Sequence, residues 1–323
     1  MFKTYLYDAS SGQRLHDIDL AQLNPATIPP GNLLWLDLFD CSEEELQLLK
    51  RIFNFHDLAI EDCLQEAPRA KVDDYEDYYF FVFHALRYSE GSDEEISTIE
   101  LDVFLGPNYV VTIHRRSLPS VGKIARQSET DLSLLSHGPQ YFLYRIVDSI
   151  VDDYFPILDR IGARIDELED EIHINPAKEI TEEFLALKRT ILLIRKAVLP
   201  QMRVFATING HYAFKIEEDL EPYFDDIGDN LDRIMDTTAT YRDLVNGALD
   251  AYYLVVSNKT NEVVRVLTII STIMMPLTYI TGLIGMNVPI PFQDRPVAFW
   301  IITVLTLGLA VAMLAYFKRR KWI

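Results

Sequence analysis

Residues 259–287 read KTNEVVRVLTIISTIMMPLTYITGLIGMN, and this stretch decides how the whole chain is organised. From Val266 to Met286 it contains no charged side chain. An α-helix rises about 1.5 Å per residue, so about 20 apolar residues are enough to cross roughly 30 Å of hydrocarbon. The stretch is therefore predicted to be a membrane span.

Small and polar residues recur along one side of this predicted span, in alternating steps of four and three residues. We call this set the seam: Ser257, Asn261, Val264, Thr268, Ser271, Met275, Thr278, Gly282 and Gly285. The alternation places the seam on one face of a helix. Such a face is compatible with tight helix packing, because small residues let backbones approach closely. It is equally compatible with a water-filled pore that several copies of the helix form around an axis.

A second apolar segment, residues 297–317, follows a short loop at 288–296 and precedes a basic tail at 318–323. Basic residues directly after a span favour the cytoplasmic side. Two spans then place both termini in the cytoplasm and the loop outside. The first residues, MFKTYLYDASSGQRL, lack the apolar core of a signal peptide, so we expect none. The predicted location is the cell membrane, crossed twice.

The charge is unevenly distributed along the 323 residues. The chain has 30 basic and 49 acidic side chains, and residues 1–260 carry a net charge of −23 against +4 for the remainder. Such an acidic segment would repel phosphates, which argues against nucleic acid as a partner and favours cations. Cys41 and Cys63 belong to no zinc-binding pattern, and the histidines have no ligand-like spacing. No enzyme motif is present, so we predict no catalytic residues.

Residues 1–138 are predicted to form an α/β domain with a mixed sheet. Runs rich in aromatic and β-branched residues indicate strands at 3–7, 33–38, 77–83, 99–105 and 109–113. Between the second and third runs, Ser42 precedes three glutamates, which is the pattern of a capping box at the start of a helix.

Residues 139–210 are predicted to form a helical hairpin, with one helix over 140–174 and a second over 179–208. A third helix begins near Glu217 and meets no predicted break before Met286. If continuous it has 70 residues, or on the order of 105 Å. We therefore predict a stalk at 211–260 that continues into the first span at 261–287.

The end of the first span carries a resemblance to a known family. Gly285-Met286-Asn287 closes the first of two C-terminal spans, and the chain ends in Lys321-Trp322-Ile323. In this position the triplet resembles that of the CorA family of divalent-cation channels. The run SNKTNEVVRVLTIISTIMMPLTYITG is also similar to the family's pore helix.

The resemblance implies a fold and a function. The fold is an α+β multidomain membrane protein: an N-terminal cytoplasmic α/β domain, a long helical stalk and two transmembrane helices, assembled as a funnel-shaped homopentamer in membrane lipid. The function is uptake of Mg²⁺, and also Co²⁺ or Ni²⁺, without an organic cofactor. Mg²⁺ is then both the substrate and a regulatory ligand that closes the channel from the cytoplasmic side.

The resemblance also assigns roles along the pore. Gly285, Met286 and Asn287 form the selectivity motif, with the Asn287 amide oxygen facing a hydrated Mg²⁺ whose water shell is lost reluctantly. Further in, the expected pore-lining residues are the hydroxyls of Thr268, Ser271 and Thr278, the small Gly282, apolar rings of Val264, Leu267 and Met275, and Asn261 and Asp250 at the cytoplasmic end. Apolar rings of this kind gate by losing water.

Regulation is expected from acidic residues that repel one another across subunits until a cation binds between them. The candidate metal ligands are Asp225 and Asp226 at the head of the stalk. They would face an acid of the next subunit that the sequence does not identify, with Glu90, Asp93 and Glu94 as candidates.

Two departures from the family pattern keep a second interpretation open. Many of the family's magnesium channels have an aromatic residue where this chain has Ile284, and its outer loop lacks the glutamates often found there. Both features favour the related ZntB-type zinc transporters. A third interpretation is a membrane-anchored scaffold or sensor that only oligomerises.

Overall fold

The structure is a computed structural model of the 323-residue chain. It describes residues 2–11, 13–16, 25, 28–29, 31–89, 95–131, 133–174, 178–206, 213–286 and 296–322. Its contacts divide into two compact units. The first is Met1–Glu171 with Ala177–Ala248, and the second is Ile172–Pro176 with Leu249–Ile323. The finer division of the chain made from the sequence remains a prediction.

The described part of the first unit contains a mixed sheet in the order β2-β1-β3-β7-β6-β5-β4. Its strands are β1 (Phe2–Asp8), β2 (Gln13–His16), β3 (Leu33–Phe39), β4 (Lys71–Tyr75), β5 (Tyr78–Tyr88), β6 (Ile96–Leu105) and β7 (Tyr109–His114). Strands β3 and β7 pair in parallel, and the other described pairs are antiparallel. The five predicted strands are therefore confirmed, while β2 and β4 were not predicted.

Both faces of this sheet are covered, which explains the long apolar runs in its central strands. On one face pack α1 (Glu43–Phe53) and α2 (Asp57–Gln65), and Phe55 between them stacks on Phe104 of β6 with ring centroids 3.9 Å apart. On the other face Trp35 of β3 lies 4.9 Å from Phe142. The Trp35 indole donates to Thr112 Oγ1 at 3.1 Å, so the buried N–H is paired.

A single helix was predicted over 140–174. This prediction is wrong at one point, because the structure has two helices there. Helix α5 (Pro139–Asp152) ends before Asp153, and α6 (Tyr154–Ile174) begins after it. Pro156 is the physical reason: it has no N–H to donate to the Asp152 carbonyl, and its ring crowds that carbonyl.

Helices α3 (Pro119–Thr130) and α4 (Ser133–Ser136) precede this pair, and α7 (Lys178–Phe205) follows it. Arg164 of α6 donates from Nε to Glu183 of α7 at 2.9 Å, so the two helices of the predicted hairpin lie against each other.

The predicted long helix is present and uninterrupted. After a 3₁₀ turn at Glu218–Leu220, α8 runs from Glu221 to Ile284, and α9 (Pro296–Arg319) follows. In the described residues, these two helices are long and apolar enough to cross a membrane. The structure thus has an α/β domain, a long helix and two C-terminal apolar segments, as predicted.

Candidate functional site

The seam lies on α8 and is open to its surroundings. All of its members from Ser257 to Gly282 are within the helix, and each is exposed in the single chain. The apolar members are exposed as well, with Met275 at 73% and Val264 at 53%. Leu267, beside the seam, is 62% exposed.

The opposite side of α8 is the covered one. Ile269 is buried, and the half-buried residues of the apolar segment follow it at helical spacing: Ile273, Pro276, Leu277 and Ile280. With about 100° of rotation per residue, this stripe is centred roughly 150° from the seam. Helix α9, in the same unit, has a matching covered stripe: Ile302, Thr306, Ala310, Met313 and Phe317. We infer that the two spans pack by these stripes, which leaves the seam free.

The first span ends in a tight turn at Gly285 and Met286. The Gly285 N–H donates to the Thr281 carbonyl at 2.9 Å, and the Met286 N–H to the Leu283 carbonyl at 3.4 Å. A Cβ on Gly285 would lie 3.3 Å from the Thr281 carbonyl oxygen, closer than most side chains come, so glycine suits this turn. Asn287, the expected selectivity residue, lies outside the described residues.

Hydroxyl groups on α8 leave their oxygens available on the helix surface. Thr268 donates from Oγ1 to the Val264 carbonyl at 2.7 Å, and Thr281 donates to the Leu277 carbonyl at 3.0 Å. The hydroxyl proton is thus used within the helix, and the lone pairs point outward as acceptors. Acceptors of this kind suit the protons of a cation's water shell.

Pro276 is a feature of α8 that the pattern of apolar and small residues does not reveal. It lies inside α8, where it offers no N–H to the Thr272 carbonyl. Membrane helices tolerate such a proline when the freed carbonyl finds another partner. It belongs to the covered stripe rather than the seam, so the free carbonyl is not on the predicted pore face.

Asp250 lies on α8 seven residues before Ser257, in register with the seam, and is exposed. It therefore belongs to the same face as the predicted pore residues, two turns before Ser257. Between Asp250 and the uncharged segment lie Lys259, Glu262 and Arg265, all exposed.

Asp225 and Asp226 lie near the start of α8, in the first unit, and both are exposed. Asp226 accepts a hydrogen bond from Asn230 Nδ2 at 3.3 Å. Burial, with the negative charges of Asp152 and Asp226, raises the pKa of Asp148 on α5. Asp148 is thus an acidic neighbour of Asp226 that the sequence analysis missed, because the two are far apart along the chain.

No group of three or more His, Cys, Asp or Glu side chains in the described residues has the arrangement of a metal site. The acids at 90, 93 and 94 that were candidates to face Asp225 and Asp226 lie outside those residues.

An α/β domain, one long helix whose apolar C-terminal part has an uncharged polar face, and a second apolar helix together define a class of membrane transport protein. The chain belongs to the family described as CorA-like Mg²⁺ transporter protein, whose model matches residues 30–319.

Two cobalt/magnesium transport proteins named CorA are similar to this chain along most of their length. That of Thermotoga maritima is 33% identical over 296 residues, 90% of this chain and 83% of the relative. That of Methanocaldococcus jannaschii is 29% identical over 308 residues, 94% of this chain and 95% of the relative. The complete structure of the CorA magnesium transporter from Methanocaldococcus jannaschii has a TM-score of 0.86 at 23% identity, covering 100% of this chain and 99% of that one. The structural likeness establishes the fold.

Membership in this family confirms three predictions made from the residues. The family consists of membrane proteins that transport divalent cations, and the two candidate spans fit that location. Its members are transporters and not enzymes. The resemblance recognised in Gly285-Met286-Asn287 and in the run before it pointed to the correct family.

Proposed function

We propose that this chain forms a homopentameric channel in the cell membrane that passes Mg²⁺, and also Co²⁺ or Ni²⁺, into the cytoplasm. The observation that carries the proposal is the free, uncharged seam of α8, on the face opposite its covered stripe. Several copies arranged about an axis would bury these seams against one another or around water. Along the seam, hydroxyl-bearing side chains alternate with apolar ones. This composition suits a pore, whereas a face used only for helix packing would be expected to consist of small residues.

Each pore residue has a chemical role in this proposal. A ring of Asn287 amide oxygens receives the hydrated cation at the outer mouth, where neutral acceptors hydrogen-bond its water without stripping it. Thr278, Ser271 and Thr268 offer further oxygens along the seam, and Gly282 leaves room near the mouth. Rings of Met275, Leu267 and Val264 close the pore by excluding water.

The cytoplasmic end of the seam concentrates cations in this proposal. Asn261 and Asp250 lie on the same face as the pore residues, and five copies of Asp250 would form a negatively charged ring. The −23 charge on residues 1–260 extends this attraction to the whole cytoplasmic part. Both termini then lie in the cytoplasm, in agreement with the basic residues after α9.

Cytoplasmic Mg²⁺ acts in this proposal as the regulatory ligand. A cation held between Asp225 and Asp226 of one subunit and an acid of the next binds the closed assembly better than an opened one. By linkage, rising cytoplasmic Mg²⁺ shifts the population toward the closed state.

Zinc transport is the second candidate, favoured by Ile284 before the Gly-Met-Asn triplet and by an outer loop whose single acid, Asp294, is offset by Arg295. The two candidates differ in the ion and in the driving force. Mg²⁺ would move down its electrochemical gradient, whereas a ZntB-like protein would couple Zn²⁺ to protons.

Purified full-length protein in proteoliposomes tests these proposals directly. Uptake of Mg²⁺, Co²⁺, Ni²⁺ and Zn²⁺ is measured in turn, with and without an imposed proton gradient, and empty liposomes give the leak. We expect uptake of Mg²⁺ that responds to membrane potential and not to the proton gradient. Proton-dependent Zn²⁺ uptake alone would support the second candidate. Absence of uptake of any dication, by protein that is still oligomeric in detergent, would support a scaffold or sensor.

A further inference from the structure

A small cavity inside the α/β domain collects ionisable groups that the transport proposal does not use. Its volume is about 30 Å³, room for a water-sized group. It lies beneath the end of α2 and is lined by, among others, Cys41, Cys63, Glu100, Asp102 and Arg115. Glu100 and Asp102 are two residues apart on β6, so their side chains project from the same face of the sheet.

The two carboxyl groups share this cavity and are largely shielded from water. Asp102 is 3% exposed, and its Oδ1 has no hydrogen-bond partner among the described residues. Cys63 of α2 lines the same cavity and is itself buried. A pair of ionised carboxylates in this position would combine buried charge with mutual repulsion.

Groups from every neighbouring element face the pair without neutralising it. From β5, His84 Nε2 lies 3.8 Å from Glu100 Oε2, and burial lowers the pKa of that imidazole, which keeps it uncharged. From β7, His114 is turned toward Asp37, 3.2 Å away. The remaining titratable or charged groups near the pair are Asp62 and Glu66 at the end of α2, Cys41 before α1, and Arg115 and Arg116 after β7.

Arg115 is the cation whose field acts on Glu100, but its guanidinium is occupied elsewhere. It donates from Nη2 to the carbonyls of Cys63, at 3.2 Å, and Leu64, which are at the end of α2. It therefore holds the helix end against β7 and forms no ion pair with Glu100 or Asp102 in the described structure.

We propose that Glu100 and Asp102 form a proton-binding site inside the α/β domain, in which one proton is shared between the two carboxyl groups at neutral pH. The Asp102 hydroxyl donates to a Glu100 carboxylate oxygen, and the Cys63 thiol donates to Asp102. When a second proton binds, both acids are neutral. Arg115 lines the same cavity, and its positive charge favours a proton over a metal ion as the ligand.

The titration of Glu100 falls in the physiological range. Burial raises the pKa of Glu100 to about 7, and burial with the nearby Glu100 charge raises the pKa of Asp102 well above its usual range. Both folded values lie above the unfolded ones, so the stabilising effect of the protons is complete below the ordinary carboxyl pKa of 4.5. It is lost as the pH rises through about 7.

Infrared difference spectroscopy of the full chain in detergent between pH 5 and pH 9 tests the site without any mutation. The C=O stretch of a protonated, buried carboxyl should disappear with a midpoint near pH 7. In Glu100→Gln this component should be absent. In Asp102→Asn it should remain, with a midpoint that is unchanged or higher, because the lost Asp102 hydroxyl had stabilised the ionised form of Glu100. Glu76→Gln, at an exposed position in the β4–β5 turn, is the matched control and should behave like the parent chain.

Thermal unfolding of the same four proteins supplies a second measurement. The parent and Glu76→Gln should lose stability between pH 5 and pH 8, with a fall of up to roughly two orders of magnitude in the folded-to-unfolded ratio. Glu100→Gln should flatten that slope. The proposal is overturned if the parent shows no protonated-carboxyl band at pH 5 to 7, or if Glu100→Gln keeps the parent's titration. Stoichiometric Zn²⁺ or Co²⁺ binding to the parent that Glu100→Gln abolishes would overturn it in favour of a metal site.

Discussion

At the scale of single residues, Asn287 carries the selectivity proposal. Its amide oxygen is predicted to hydrogen-bond the water shell of the arriving cation, and replacing it by alanine removes one acceptor per subunit. A hydrogen bond contributes about 0.5–1.5 kcal/mol, so five losses should reduce dication uptake roughly a hundredfold or more. Uptake by Asn287→Ala in proteoliposomes, with oligomeric state checked in detergent, measures the effect.

Asn258→Ala is the matched control, because Asn258 is exposed on α8 but lies off the seam. It should transport like the parent chain. Near-normal uptake by Asn287→Ala would show that another group selects the ion.

Single residues also show where the sequence is informative and where it is not. The capping box at Ser42 was predicted from four letters and is present, with the Ser42 N–H bonded to Glu45 Oε2 at 2.8 Å. The signal is local, so the sequence contains all of it. The Glu100 and Asp102 pair could not be predicted, because an alternating strand does not reveal that Cys63 and α2 seal the face on which both acids lie.

At the scale of elements, the two strands that were not predicted have a common cause. β4, with the sequence KVDDY, is polar, and it lies at one edge of the sheet, where Lys71 bridges Asp62 and Asp73 at 2.6 Å each. β2 (Gln13–His16) forms the opposite edge. Edge strands carry charge and are short, which protects against edge-to-edge pairing. Patterns based on apolar residues therefore miss them and find the central strands.

Two prolines in helices had different outcomes for the same chemistry. Pro156, near the start of α6, coincides with the break after α5, whereas Pro276 lies within continuous α8. A proline does not always end a helix outside the apolar segments, because α7 continues through Pro200. In an apolar segment within a bilayer, a break would cost several kcal/mol for each unpaired backbone group, so continuation is favoured at Pro276. The long helix was predicted correctly there because a long run without charged residues indicates a membrane helix, and a single proline within it does not exclude one.

The apolar ring on the seam gives a prediction for the first span. Met275 is 73% exposed and, in the proposed pentamer, helps to exclude water from the closed pore. Met275→Ser introduces a smaller, polar side chain, so we expect the pore to wet and basal Mg²⁺ leak to rise several-fold. The measurement is uptake at high internal Mg²⁺, where the parent channel should be closed.

Met274→Ser provides the comparison, because the neighbouring methionine is 53% exposed but lies off the seam. It should leave the leak unchanged. Equal effects from the two substitutions would mean that Met275 faces lipid or a packed helix and not water.

Helix packing in the first unit gives a stability prediction. A Cβ on Gly162 of α6 would lie 2.6 Å from the Tyr241 hydroxyl on α8, so Gly162→Ala should displace the Tyr241 ring and cost about 1 kcal/mol. Gly228 on α8 has open space at its Cβ position, so Gly228→Ala should stabilise the chain by about 0.5–1 kcal/mol through helix propensity. Unfolding temperatures of the full chain should therefore shift in opposite directions. Tyr241→Ala in the Gly162→Ala background should recover part of the loss, and failure to do so would place the strain elsewhere.

At the scale of the whole molecule, the charge distribution links the acidic domain to the cation it is proposed to admit. Residues 1–260 carry −23 and the remainder +4. In an oligomer, acidic surfaces of neighbouring subunits lie within a Debye length of about 8 Å, where repulsion is incompletely screened. Opening that separates subunits relieves this repulsion, and a cation between the acids relieves it without separation. The negative charge that attracts the cation therefore also makes the stability of the closed state depend on the cation concentration.

The feedback proposal predicts a shift in inhibition when Asp225 and Asp226 are neutralised. Asp225→Asn with Asp226→Asn removes two carboxylates per subunit, so cytoplasmic Mg²⁺ should bind the closed state more weakly. A coupling of 1–3 kcal/mol would move the inhibition midpoint about 5- to 150-fold toward higher Mg²⁺. The measurement is uptake into proteoliposomes as a function of internal Mg²⁺.

Asp229→Asn with Asp232→Asn, one to two turns further along α8, changes the net charge equally and should leave the midpoint nearly unchanged. Equal shifts in both double variants would assign the effect to overall charge, and an unchanged midpoint in the first would place the sensor elsewhere.

Asp148→Asn separates these cases further, because Asp148 is an acid whose pKa responds to Asp226. If Asp148 shares the cation with Asp226, this substitution should shift the midpoint in the same direction while leaving maximal uptake intact.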